Sequence, residues 1–377
     1  MAWQPKSDEA YEVSNTFHVA LALIGAGVYA ALFALWSQVV TPTPGRAQVT
    51  ATRWSTSAES IISHGRTDAS DLASSYLMLH RALNTGYTMP PRGGGSAPTS
   101  LDELRRAFVE KVRDLAPSAL RNNIIPDPTP TDGHDDRVEV DPPSGVYRPY
   151  SPNHWGGDLV VGVEEIDGLD AMLDTLDEWS AKETRNVLDD LGIKRLLLKL
   201  QELERPNIPG PEDMPGLTPQ QLDAAREEAS AIVGRGVAAH GERIALNGGR
   251  QAEIAKGRRD PRVKGFVRVH FPEGDVNPCG FCALLISRGM DEIYSSKKIA
   301  DGGANFDQFH AGCHCRAVEV YSASTYETDA QYALNREYRK LWDTEFRDQY
   351  AGNNAAGIAA WRRLFRDRKA EARSQAA

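Results

Sequence analysis

All four cysteines of this 377-residue chain fall between positions 279 and 315. They stand as Cys279-Gly-Phe-Cys282 and as His310-Ala-Gly-Cys313-His314-Cys315-Arg316, and such grouping marks one site rather than scattered core thiols. A CxxC held in a tight turn aims two sulfurs at one tetrahedral centre, and zinc accepts thiolate and imidazole at comparable distances. Pro278 and Gly280 suit that turn, the one fixing the backbone and the other freeing it. The second cluster then offers His310, Cys313, His314 and Cys315, of which two complete four-coordination. Cys279, Cys282 and Cys315 rank first as ligands, and the fourth place lies between Cys313 and His310. His314 ranks last, because alternation along the following strand turns it away from Cys313 and Cys315. Two disulfides or free redox thiols are the competing readings, and this spacing favours metal over both. A closed structural Zn²⁺ site would join the CxxC hairpin to a distant strand across the irregular stretch Ser287 to Gln308. Its work is folding rather than chemistry.

The rest of the chain reads as helices punctuated by proline and glycine. Asn15 to Val40 carries no charge and is long enough to be weighed as a membrane span. Its acidic flank (Asp8, Glu9, Glu12) argues against a signal peptide, and its Ala and Gly content suits a buried helix. After Pro42 to Pro44 a second helical region runs to Gly86, with Ala69, Leu72, Tyr76, Leu79 and Leu83 at helical spacing, so the two form an α-hairpin. Tyr76 reads as core and His80 as surface. Ser100-Leu-Asp-Glu103 opens a helix through Leu115. Pro126 to Trp155 is too proline-rich for a regular element, and His134-Asp135-Asp136 within it reads as solvated loop rather than a metal site. A short strand is expected at Asp158 to Val163, and helix from Asp167 to Leu203, broken near Gly192. Its acidic start reads as a wet face. Thr218-Pro219 starts a helix expected to reach Leu246 and stop at Gly248-Gly249. Phe266 to His270 and Arg316 to Tyr321 alternate as paired strands. Asp329 to Tyr350 and Ala355 to Ala372 are the last helices.

Formal net charge is −9 and the pI about 5.6, which excludes a globally basic nucleic-acid binder. Local basic charge sits only near the C-terminus, where Arg362, Arg363, Arg366, Arg368, Lys369 and Arg373 face Asp367 and Glu371. That helix, with Trp361, Leu364 and Phe365 inward, reads first as a solvated amphipathic element and second as a contact for DNA or an acidic partner. Neither a Walker A loop, a dinucleotide-binding glycine pattern nor GxSxG occurs.

Three runs carry a family resemblance: Val263 to His270, Pro278-Cys-Gly-Phe-Cys-Ala-Leu-Leu-Ile-Ser-Arg-Gly289, and Phe309-His-Ala-Gly-Cys-His-Cys-Arg316. Together with the strand Ala317 to Tyr321 they resemble the phage Mu F-type (MuF-like) minor head proteins, in the form found in tailed phages of actinobacteria. The resemblance is strongest from about Leu217 to Leu364 and says little about residues 87 to 216. It implies head morphogenesis in the host cytoplasm, presence in the procapsid or virion, and portal, scaffold and major capsid protein as partners. It favours a buried first helix over a membrane span.

The expected fold is α+β and predominantly α-helical. Residues 1–86 form an N-terminal helical hairpin, and 87–216 are Pro/Gly-rich linkers with intervening helices. A zinc-binding module occupies 217–325, with its small β and zinc-knuckle part near 263–321, and C-terminal helices with a basic tail fill 326–377. The metal-donor set is Cys279, Cys282, His310, Cys313 and Cys315. No catalytic residue and no small-molecule substrate are expected. Relatives of this type are often labelled capsid maturation proteases, yet Ser287, His310, His270 and Asp275 form no local nucleophile–base motif. A zinc-dependent nucleic-acid module is the other alternative, and the loops offer Phe281, Phe306 and Phe309 but little basic charge.

Overall fold

The computed structural model describes residues 3–43, 45–92, 94–121, 149–155, 157–204, 218–270, 278–289, 309, 313, 315–351 and 354–376. The chain is α+β and predominantly helical. Helices α1 (Ser7–Val39) and α2 (Ala47–Thr85) run antiparallel, and the Lys6 amide donates to the Leu83 carbonyl at 3.1 Å to close the open end of the hairpin. The stripe Ala69, Leu72, Tyr76, Leu79 and Leu83 is buried, and Gly86 ends α2 in the left-handed conformation at φ 77°. By length and composition α1 could cross a bilayer: its most apolar 18-residue window has a mean hydropathy of 2.2, and half of that window is buried inside the structure. Phe17 stacks on Tyr76 with centroids 4.2 Å apart, and Trp36 meets Trp54 edge-on at 4.8 Å.

A third long helix, α6 (Pro219–Arg259), lies against both. Thr218 caps it in a full capping box with Gln221. The expected stop at Gly248-Gly249 does not occur, and the reason is steric. Gly234, Gly241 and Gly248 recur every seven residues on the face that meets the hairpin. A Cβ built on them would lie 2.5 Å from Trp36, 2.4 Å from Leu32 and 2.2 Å from the Arg66 carbonyl oxygen, respectively. Glycine costs a helix about 1 kcal/mol relative to alanine, and the close approach of three helices offsets it. Gly248→Ala is therefore expected to destabilise the protein by about 1–3 kcal/mol through overpacking, despite alanine's better helix propensity. A urea melt in which the variant matches or exceeds the parent would contradict this approach.

Between the hairpin and α6 run β1 (Tyr87–Thr88), α3 (Leu101–Leu115), β2 (Gly162–Val163), α4 (Leu169–Val187) and α5 (Arg195–Glu204). The expected strand at 158–163 shrinks to β2, paired parallel with β1, plus a bridge from Val160 to Ser100. The expected break near Gly192 is a wide π-type turn, Leu188–Lys194, that carries α4 into α5, with Gly192 against Trp54 and Val237. Helix α3 is fastened to α1 by Arg105, whose guanidinium grips the Glu9 carboxylate at 2.8 and 2.9 Å. His134-Asp135-Asp136 lies outside the described residues.

The second sheet is an antiparallel pair, β3 (Gly265–Val269) and β4 (Arg316–Val320), in which every residue is buried. Around it sit α7 (Gly280–Ser287), α8 (Ala323–Thr328), α9 (Ala333–Leu341) and α10 (Asn354–Ala376). The expected helix at 329–350 starts as a short 3-10 turn at Ala330–Tyr332, continues as α9 and widens to a π-type turn at Trp342–Phe346. Trp361 and Phe365 face inward from α10 onto Tyr338, Trp342 and Phe346. The Asn335 amide clamps the halves of this region by donating to the Arg268 and Ile286 carbonyls at 2.7 and 3.2 Å.

Candidate metal centre

The register of β3 and β4 builds the site. Val269 pairs with Arg316, so His270 and Cys315 are the next residues across the ladder. Directly opposed residues share a face, and Cys315 Sγ lies 3.5 Å from His270 Nδ1. Helix α7 brings the other sulfurs. The CxxC is the first turn of a helix rather than a hairpin: Cys279 is its N-cap, and its Sγ accepts the Cys282 amide at 3.4 Å. Cys282 Sγ then stands 3.6 Å from Cys313 Sγ, and the sulfurs of Cys282, Cys313 and Cys315 all lie within 4.8 Å of one another. All three are buried, at 1 %, 3 % and 2 % exposure, while Cys279 is half-buried.

These distances have a chemical meaning. A disulfide requires sulfurs about 2.05 Å apart, and all four cysteines are free thiols. Two thiolates on one tetrahedral zinc, each about 2.3 Å from it, stand about 3.8 Å apart. The buried trio could therefore bind a metal ion. Its protons are unevenly held. Hydrogen bonds from Cys282 and Cys315, helped by Arg268 and Arg250, hold the Cys313 thiol well below the ordinary range. Hydrogen bonding to Cys279 and then to Cys313 and Cys315 pushes Cys282 up. A cation entering here would replace the remaining thiol protons.

Two buried guanidiniums support the cluster. Arg250 of α6 donates to the Cys313 carbonyl, and Arg268 Nη2 of β3 lies 3.9 Å from Cys313 Sγ. Their guanidinium carbons stand 4.3 and 3.9 Å from the Phe309 ring centroid. Positive charge beside thiolates favours the anionic form that a metal needs.

Immediately after Cys315 the chain enters a buried ionic layer. Arg316 pairs with Glu253 of α6 at 3.2 Å, donates to Ser14 of α1 and Tyr76 of α2, and lies over the Phe17 ring at 4.5 Å. Lys256 pairs with Glu319 at 3.2 Å, and His80 Nδ1 is 3.9 Å from the same carboxylate. His80, expected at the surface, is thus 1 % exposed, because its side of α2 meets β4. Burial drives its imidazole toward the neutral form.

Of the residues singled out from sequence, Cys282, Cys313 and Cys315 come together, and Cys279 caps the helix beside them. His310 and His314 lie outside the described residues. His270, absent from the donor set read from sequence, is 45 residues from Cys315 along the chain, and only strand register juxtaposes the two. Ser287, weighed for peptide cleavage, is fully buried, and its hydroxyl donates to the Leu284 carbonyl at 2.7 Å. On α10, Arg362, Arg363 and Arg366 are exposed and Arg368 is half-buried. This helix backs onto the cysteine helix, where a Cβ at Gly280 would lie 3.1 Å from Arg362 Cα.

Residues 215–341 match the model of the VG15 protein family, a viral gene family, and the matched span holds all of α6, both strands of the second sheet and every cysteine. The match covers about a third of the chain and points to a phage-type protein. No curated protein and no solved structure matches the chain.

Proposed function

We propose that this chain is a minor head (head morphogenesis) protein of a tailed phage that associates with portal and procapsid during assembly. The observation carrying this reading is that the viral-family match and the buried cysteine cluster occupy the same stretch of chain. The MuF-like resemblance of Val263 to His270, Pro278 to Gly289 and Phe309 to Arg316 supplies the specific role. In this reading Zn²⁺ at the cluster is structural and ties α7, β3 and β4 together, so its contribution is folding free energy. The long helices would meet portal, scaffold or major capsid protein. The exposed Arg362, Arg363 and Arg366 would meet packaged DNA or an acidic partner.

Co-expression with the portal, scaffold and major capsid proteins of the same phage tests the role. The protein is expected to sediment with portal-containing procapsids, to be absent from portal-less shells, and to leave the capsid and scaffold chains uncut. Free protein at the top of the gradient in every case would refute the assembly role. Capsid or scaffold chains shortened only when it is present would favour maturation protease instead.

A further inference from the structure

We infer that the cavity between α2 and α4 is a binding site for a small uncharged polyol, such as a single sugar ring, recognised through Arg66 and Ser180. The site stands apart from the cysteine cluster, and residues 59–71, 92 and 177–184, which supply its lining, all precede the family-matched span. Helical spacing makes the walls. Asp177, Ser180, Ala181 and Thr184 fall at i, i+3, i+4 and i+7, so α4 turns one face to the cavity, and Glu59, Ile62 and Arg66 do the same for α2. Arg66 pairs with Asp177 at 3.0 Å and Glu59 with Arg185 at 3.5 Å, so the two helices run antiparallel along it. Its volume is about 330 Å³. Ligand pockets span about 300–1,000 Å³, which limits the occupant here to one small molecule.

Two buried polar groups of the lining lack partners. Arg66 is 9 % exposed and Ser180 1 %. The Arg66 guanidinium donates through Nε and Nη2 to Asp177, and through Nη2 to the Gln251 side chain at 2.9 Å. Its Nη1 has no hydrogen-bond partner among the described residues, and neither has Ser180 Oγ. A buried donor left unpaired is a standing cost, which an acceptor oxygen on a ligand removes. Charge then selects the ligand. Glu59, Asp71 and Asp177 disfavour an anion, and Arg66 and Arg92 disfavour a cation. Ile62 and Ala181 are the only apolar residues of the lining, whereas most pockets are mainly apolar, so a hydrocarbon finds little to touch. A hydroxyl both donates and accepts. Adjacent hydroxyls on one ligand can therefore accept from Arg66 and Ser180 while donating to a carboxylate of the same wall.

Ligand-observed NMR and calorimetry on the full-length protein test this, with D-glucose, D-mannose and myo-inositol as polyols and acetate, glutamate and putrescine as charged probes. At least one polyol is expected to bind, and more tightly than any charged probe. Ser180→Ala should weaken that polyol about tenfold, the loss expected for one hydrogen bond. It should leave the melting midpoint unchanged, because no described protein group depends on that hydroxyl. Ala181→Trp, at an exposed position of the same wall, should abolish binding by filling the cavity, and it keeps the test open if Ser180→Ala disturbs the fold. The inference is overturned if no polyol binds, if a charged probe binds more tightly, or if the bound polyol is indifferent to both substitutions.

Discussion

Cys313→Ser should abolish metal retention and unfold the region around β3, β4 and α7, with the largest stability loss of any single substitution here. Structural zinc contributes about 10–16 kcal/mol in small zinc-dependent peptides, which is comparable to the whole stability of an ordinary domain, about 5–15 kcal/mol. Part of that is replaced here, because β3 and β4 also pack on α6 and on Tyr326 and Tyr332. A drop in melting midpoint on the order of 10 °C or more is the expected result. Amide exchange should show where it falls: protection lost across Gly265–Val269 and Arg316–Val320, and retained in the Trp36–Trp54 half of the helical core. A zinc chelator should reproduce the loss in the parent and do nothing further to the variant. An unchanged melt after complete chelation would eliminate a structural metal.

Arg316→Met should have the second largest effect. It removes a fully buried guanidinium that joins α1, α2 and α6 to β4. Above about pH 8, where Glu253 is ionised, breaking one side of this buried pair costs about 3–5 kcal/mol, whereas replacing both partners with apolar side chains of similar volume is often close to neutral. Arg316→Met/Glu253→Met should therefore recover most of the loss. A double variant as unstable as the sum of the singles would show that the two side chains do not act as a pair.

The same layer sets a pH dependence. Burial pushes the Glu253 carboxyl up to about 8 from an ordinary 4.5. Between those values the folded chain keeps a proton that the unfolded chain releases, so stability falls as pH rises through the window and levels off above it. His80 acts in the opposite direction, because its buried ring stays neutral where the unfolded chain binds a proton. Stability contributed by that neutral ring is lost as pH falls below the usual histidine value of about 6.5. Glu253→Gln should flatten the alkaline limb and leave the acidic one, as read from melting midpoints across pH. Because burial also raises Glu319, a smaller alkaline slope should remain.

Local chemistry was legible at many points along the chain. Ser100 and Thr218 cap the helices they were expected to open. Gly86 ends α2, and the Ala69 to Leu83 stripe and the Trp361/Phe365 face are buried as their helical spacing required. Each of these depends on residues within a turn or two of one another, where backbone geometry alone decides which side chains meet. The paired strands were also legible, because their alternation shows in only a few residues.

What local spacing cannot register is a partner from elsewhere in the chain. Gly248-Gly249 reads as a stop, yet it continues a helix because Arg66 of α2 occupies the space that a side chain would need. His80 reads as surface by composition, and the arrival of Glu319 makes it interior. The charged residues of the buried layer, Glu253, Lys256, Arg316 and Glu319, give no sign in sequence that they are not solvated. The grouping of four cysteines, the helical character and the capped helix starts were written in the order of the amino acids. The tertiary structure decided which sulfurs meet, that His270 stands beside Cys315, and that charge is sealed between the hairpin and the sheet. Covalent neighbours constrain one another through backbone geometry, whereas these contacts exist only once packing has closed the distance and excluded the water that would compete for them.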